Sequence, residues 1–172
     1  MNPGPELDID AVLAALDRHG VRFIVVGGQA ARLWGSPSLT QDFDAAYARD
    51  HANLERLAAA LQELGARLRV ANVDEDLPFL LDAETLERGF NFTFRTPYGD
   101  LDFLGLPAGV AGYDELEPNA TTVEIGGHRV LVCALEDLIR MKTAAGRPKD
   151  RIELEVLRAL RDERDRRGLT EP

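Results

Sequence analysis

Thr40-Gln41-Asp42-Phe43-Asp44, read with Val25-Val26-Gly27-Gly28 shortly before it, decides how the chain is organised. In an extended strand, residues two apart point to the same side. Asp42 and Asp44 therefore share one face, and Phe43 between them points into the core. Two carboxylates held that close repel unless a cation sits between them. Hard divalent ions such as Mg²⁺ are the usual cation for a carboxylate pair. Gly27-Gly28 breaks the preceding apolar strand and leads into a short helix. Backbone N–H groups at such a junction face an anion, so these glycines form a candidate phosphate cradle.

Outward from this stretch, alternation and helical spacing give the remaining elements. Residues 7–19 are an amphipathic helix ended by Gly20, and residues 21–26 are a strand buried on both faces. Residues 29–34 form a short helix, 41–47 the strand with the two aspartates, 51–64 a helix and 66–70 a strand. Residues 71–81 read as an acidic loop, and 82–88 as a short helix. Residues 90–95 and 100–104 alternate around Thr96-Pro97-Tyr98-Gly99 and form a hairpin. Residues 107–119 are rich in Pro and Gly and read as irregular. A second hairpin pairs 121–125 with 128–132 around Gly126-Gly127. From Leu135 to Arg167 the chain is helical, divided in two at Gly146-Arg147-Pro148. The expected class is α/β (α+β), a mixed sheet with helical cover. Residues 1–134 form the core, and 135–172 a C-terminal helical extension packed on it, as a single compact domain.

The first hairpin adds a third carboxylate. In Gly99-Asp100-Leu101-Asp102-Phe103, Asp102 shares the polar face with Asp100, opposite the core. Asp100 itself reads as a hairpin-end residue in solvent. If this strand lies beside the one carrying Asp42 and Asp44, three carboxylates converge. Such a set holds two divalent cations about 4 Å apart, the arrangement for in-line phosphoryl or nucleotidyl transfer. That chemistry consists mainly of positioning and of neutralising phosphate charge. A basic residue completes the parts, and Lys142 or Lys149 supplies it.

Composition bounds the reading. The chain has 172 residues, 45% hydrophobic and 29% charged, within the range of globular proteins. No apolar run approaches the roughly 18 residues that span a bilayer, so no membrane association is expected. The N-terminus lacks the basic and apolar regions of a signal peptide, and the cytoplasm is the expected compartment. One cysteine, Cys133, excludes an internal disulfide framework and a cysteine-based zinc cluster. A net charge of −10 argues against the whole surface being a nucleic-acid footprint. Residues 139–168, however, hold ten of the twenty Lys and Arg against six Asp and Glu. Both lysines of this arginine-rich chain, Lys142 and Lys149, fall there. Since the two cations are not interchangeable at phosphate sites, this placement suggests that an ammonium is needed.

In sum of these motifs the chain resembles the polymerase-beta-like nucleotidyltransferase superfamily. The carriers are a strand ending in Gly27-Gly28, a helix, Asp42-Phe43-Asp44 on the next strand, and Asp102 on a later one. The ending from Leu138 to Glu153, with Lys142 followed by Arg147-Pro148-Lys149-Asp150, is similar to the AbiEii-type minimal nucleotidyltransferases. That branch includes toxins of bacterial toxin–antitoxin pairs. The resemblance implies a nucleotide-binding transferase moving a nucleoside monophosphate from an NTP to an acceptor hydroxyl, with two Mg²⁺ ions. It implies Asp42, Asp44 and Asp102 as metal ligands, with Asp102 also as base for the acceptor hydroxyl. Gly27 and Gly28 hold the triphosphate, and Lys142 contacts the phosphates. Thr40, Arg147, Lys149 and Asp150 join the nucleotide-binding set, with Asp150 orienting the basic residues or the acceptor. Within the branch the acceptor is the tRNA 3′ end, and an antitoxin protein is a partner. Transfer to a small molecule or a protein hydroxyl is the alternative, and a catalytically silent binding partner is a third reading. Gly28, Ser38 and Glu153 depart from the commoner Ser, Arg and Asp of relatives.

Overall fold

The structure, a computed structural model, describes residues 4–70 and 79–172. Helix α1 (Ile9–Arg18) is started by Asp8, whose Oδ1 accepts from the Ala11 N–H at 3.0 Å. Its Val12, Leu13, Ala15 and Leu16 are buried. Strand β1 (Phe23–Val26) is buried along its whole length, as a β-branched apolar run in mid-sheet should be. Helix α2 (Gly27–Leu33) follows with no intervening loop. Strand β2 (Asp42–Tyr47) then runs antiparallel to β1, with Val26 opposite Asp44. Helix α3 (His51–Glu63) is capped by Asp50, and β3 (Arg67–Leu68) is only two residues long.

Helix α4 (Ala83–Arg88) precedes the hairpin of β4 (Asn91–Thr96) and β5 (Gly99–Leu104). Residues 107–119, expected to be irregular, contain helix α5 (Tyr113–Leu116) and a 3-10 turn over 117–119. Tyr113 and Leu116 are buried there, which stabilises a helix too short to show a period in the sequence. Strands β6 (Thr121–Ile125) and β7 (His128–Val132) form the second hairpin with the expected bounds. The C-terminal helices are α6 (Leu135–Ala145) and α7 (Asp150–Arg167). Gly146 ends α6 in the left-handed conformation, and Pro148 follows within the turn. Most of the expected loop at 71–81 lies outside the described residues.

Among the described residues the strands form one mixed sheet, ordered β3-β4-β5-β2-β1-β7-β6. The β2–β5 and β1–β7 pairs are parallel and the others antiparallel. This is the expected α/β mixed-sheet class. The β2–β5 pairing sets Asp42 beside Asp100 and Asp44 beside Asp102. On the opposite face Phe43 and Phe103 pack with ring centroids 6.3 Å apart, and Phe23 meets Phe43 at 6.1 Å. Phe43 and Phe103 are fully buried. A one-residue slip of either strand would drive a carboxylate into this aromatic layer, so the core fixes the face on which the aspartates stand. Trp34 is buried, and its Nε1 donates to the Cys133 carbonyl at 2.9 Å. Cys133 is buried too, and burial pushes its thiol well above the ordinary range.

Candidate active site

A cleft of about 570 Å³ opens where β1 runs into α2 and where β2 lies beside β5, with α6 and the start of α7 as its far wall. That size is ordinary for a small-molecule site. All ten residues expected from the sequence line it: Gly27, Gly28, Thr40, Asp42, Asp44, Asp102, Lys142, Arg147, Lys149 and Asp150.

The glycines have a cause visible in the packing. Gly27 has φ +62°, and a Cβ there would stand 2.2 Å from Asp44 Oδ2. A Cβ at Gly28 would stand 2.6 Å from Thr40 Oγ1. The backbone at this junction is thus pressed against the two residues that follow it on the next segment. The Gly28 N–H works to lower the Asp44 pKa. The Asp42 carbonyl accepts from Gln29 Nε2 at 3.5 Å and from Thr40 Oγ1 at 3.4 Å, which ties α2 to the start of β2.

The carboxylates repel one another as neighbouring like charges must. Burial, then the Asp102 charge and hydrogen bond and the Asp42 charge, push Asp44 up to about 7, against the pull of the Gly28 N–H. Asp42, at the exposed mouth, is also raised, by burial first and then by Asp102 and Asp100. Lys149 and Arg69 act on it in the opposite sense. Asp102 Oδ1 is buried and has no hydrogen-bond partner among the described residues. An orphaned acceptor beside a raised carboxylate is what a divalent cation would relieve, so the donor set fits Mg²⁺. Among the described residues no three such side chains are already gathered at metal-ligand spacing. The fit therefore rests on the shared face, the orphaned oxygen and the raised Asp44.

Asp100 differs from its reading as a solvent-facing hairpin end. Its side chain is only 18% exposed and sits beside Asp42, held by Arg69 at 2.6 Å and Arg95 at 3.8 Å. The alternation of β5 carried the signal, since it puts Asp100 on the same face as Asp102.

On the far wall Lys142 is 7% exposed and pairs with Glu153 at 2.6 Å and Asp150 at 3.6 Å. Glu153 also accepts from Ser36 Oγ at 3.3 Å. Asp150 accepts from Arg147 Nε at 2.7 Å. Burial works to raise the Asp150 pKa, but the Arg147 bond and the Lys142 charge outweigh it and leave it lowered. This network joins α6, the Gly146-Arg147-Pro148 turn and α7 to the loop before β2. The sequence reading did not include Leu39, Met141, Ala145 and Ile152, which also line the cleft.

No family model matches the chain, and no curated protein matches it in sequence. Solved structures share its fold. A lincosamide antibiotic adenylyltransferase, LnuA, solved with lincomycin, superposes with a TM-score of 0.60 at 11% identity, covering 91% of this chain and 99% of its own. The antibiotic-resistance factor ANT(2'')-Ia gives 0.53 at 20% identity, covering 91% and 90%. A Thermotoga maritima protein proposed to be a nucleotidyltransferase gives 0.52 at 18%, covering 91% and 91%. The chain therefore has a fold found in nucleotidyltransferases, with its sheet and helices in the same arrangement.

Proposed function

We propose that the protein is a metal-dependent nucleotidyltransferase that moves a nucleoside monophosphate from an NTP to an acceptor hydroxyl. The observation that carries this reading is the side-by-side register of Asp44 and Asp102, with the orphaned Asp102 oxygen and Asp44 raised to about 7. Asp42, Asp44 and Asp102 would hold Mg²⁺, two ions in the full site. When bound, the ions neutralise the phosphate charge and make the acceptor hydroxyl more acidic. The backbone at Gly27-Gly28, which lines the cleft at the start of α2, receives the triphosphate. Lys149, exposed and close enough to act on Asp42, is the first phosphate contact on the far wall. Lys142 adds positive charge behind it while its two carboxylates hold it in place, and Arg147, Asp150 and Thr40 complete the nucleotide side. The Asp102 carboxylate, with one oxygen toward the metal, takes the proton of the acceptor hydroxyl on the other. A bond forms between the acceptor oxygen and the α-phosphorus, the bond to the bridging oxygen breaks, and pyrophosphate leaves.

A small-molecule hydroxyl is the acceptor class that suits the cleft best. The cleft is compact, and the structural relatives include antibiotic adenylyltransferases. Transfer to the tRNA 3′ end, by a toxin with an antitoxin partner, is supported by the excess of basic residues in 139–168. Against it, Arg161, Arg166 and Arg167 are already engaged by carboxylates of α6 and α7, which compete with a phosphate backbone for them. The test is incubation with each α-labelled NTP and Mg²⁺, with total tRNA or with aminoglycoside and lincosamide acceptors, and Asp42→Ala as control. Label on an antibiotic that needs Asp42 supports the first reading, and label on tRNA supports the second. Absence of Asp42-dependent label or pyrophosphate with every acceptor argues for the silent binding partner.

A further inference from the structure

Large apolar side chains exposed singly on a surface are ordinary. Here Leu39 is 92% exposed and Ile152 77%, and both line the same cleft. Ile152 stands in the first turn of α7, off the buried stripe of Leu154 and Leu157. Met141 and Ala145, one turn apart on α6, carry the apolar surface into the cleft. What is not ordinary is their gathering in one cleft, where apolar surface marks a place that a ligand covers.

We infer that Leu39 and Ile152, backed by Met141 and Ala145, form the apolar clamp that receives the base of the NTP. The inference rests on the nucleotide reading of the cleft and goes further by locating the base. Position along the cleft decides between base and acceptor. Leu39 directly precedes Thr40, whose side chain abuts Gly28, and Ile152 lies one helical turn from Lys149. Both therefore belong to the half of the cleft that holds the triphosphate. In-line displacement puts the acceptor on the opposite side of the α-phosphorus from the leaving pyrophosphate. That side is the Asp102 half, lined by Leu104, Pro107 and Ala108. Apolar surface on the glycine half thus covers the donor. A base has flat faces of low polarity, and its affinity for such a clamp comes from the apolar area removed from water.

The test measures binding to the wild type and to Leu39→Ser/Ile152→Ser by calorimetry with Mg²⁺ present. The ligands are ATP, GTP, CTP, UTP and inorganic tripolyphosphate, which has the phosphates without the base. Both positions are exposed, so the variant should melt within a few degrees of the wild type. The expected result is an NTP Kd raised about tenfold or more, with the tripolyphosphate Kd unchanged. An unchanged NTP Kd, or an equal loss for NTP and tripolyphosphate, overturns the clamp. A wild type that binds tripolyphosphate as tightly as every NTP overturns the clamp but leaves the phosphate site standing. A wild type that binds none of the five removes the nucleotide reading, and the clamp with it.

Discussion

Replacing Asp102 by Asn should stabilise the metal-free protein and abolish its turnover. The native Asp44 carboxyl holds its proton up to about pH 7, because of burial first and Asp102 second. In the unfolded chain the same group titrates near its model value of 3.8. Between these values the native state binds more protons than the unfolded state, so stability falls as pH rises through that window. A gap of roughly three units corresponds to roughly 4 kcal/mol at about 1.4 kcal/mol per unit. Burial ranks ahead of Asp102 among the causes, so the Asp102 share is about 1–2 kcal/mol. In Asp102→Asn that share returns, and the new amide donates to Asp44. At about pH 8 the Tm should rise by about 3–6 °C for a chain of this size. At about pH 5, where Asp44 is already neutral in the native state, the gain should vanish. Turnover should fall about a thousandfold or more, since a ligand and a base are lost together. Thermal melts at both pH values in EDTA, with pyrophosphate release in Mg²⁺, decide the matter. A lower Tm at pH 8, or an equal rise at both pH values, would refute the like-charge argument.

Other perturbations test other parts of the site. Millimolar Mg²⁺ should raise the Tm more at about pH 8 than at about pH 5.5, because a cation competes with the proton of the Asp44–Asp102 pair; an equal rise would place the ion elsewhere. Gly27→Ala puts a methyl 2.2 Å from Asp44 Oδ2 at a φ of +62°. It should cost about 1–2 kcal/mol of backbone strain and displace Asp44, lowering turnover about a hundredfold; melts and pyrophosphate release measure both. Lys142→Met takes from Glu153 its ammonium, while Asp150 keeps Arg147, and should cost about 3 kcal/mol in urea unfolding. Adding Glu153→Gln should recover a good part of that loss, and failure to recover any would show that the pair does not hold α6 to α7.

The strands were legible where one face is polar and the other core. Asp42-Phe43-Asp44 and Asp100-Leu101-Asp102-Phe103 state their own orientation, and the sheet merely laid them side by side. The pairing itself was not legible, because a parallel β2–β5 contact joins residues 58 apart along the chain and nothing local encodes it. Helix α5 was hidden for a different reason. Four residues hold barely one helical turn, too few to show a period, and burial of Tyr113 and Leu116 stabilises that turn. Asp100 was misjudged because its position at a strand end outweighed its alternation with Asp102. Arg69 and Arg95, contributed by β4 and the segment after β3, reverse that weighting in space.

The paired arginines also explain how four aspartates can share a two-by-two patch. Asp42, Asp44, Asp100 and Asp102 are neighbours across β2 and β5. Four unscreened charges would oppose the pairing of two central strands, since like charges directly opposite destabilise a sheet. Arg69 and Arg95 neutralise the corner at Asp100, and a proton at Asp44 removes a second charge. The repulsion that remains lies between Asp42 and Asp102, which are the carboxylates most in need of a cation. The arginines and the proton thus lower the charge of the patch, and what they leave uncompensated runs along its diagonal, from Asp42 on β2 to Asp102 on β5.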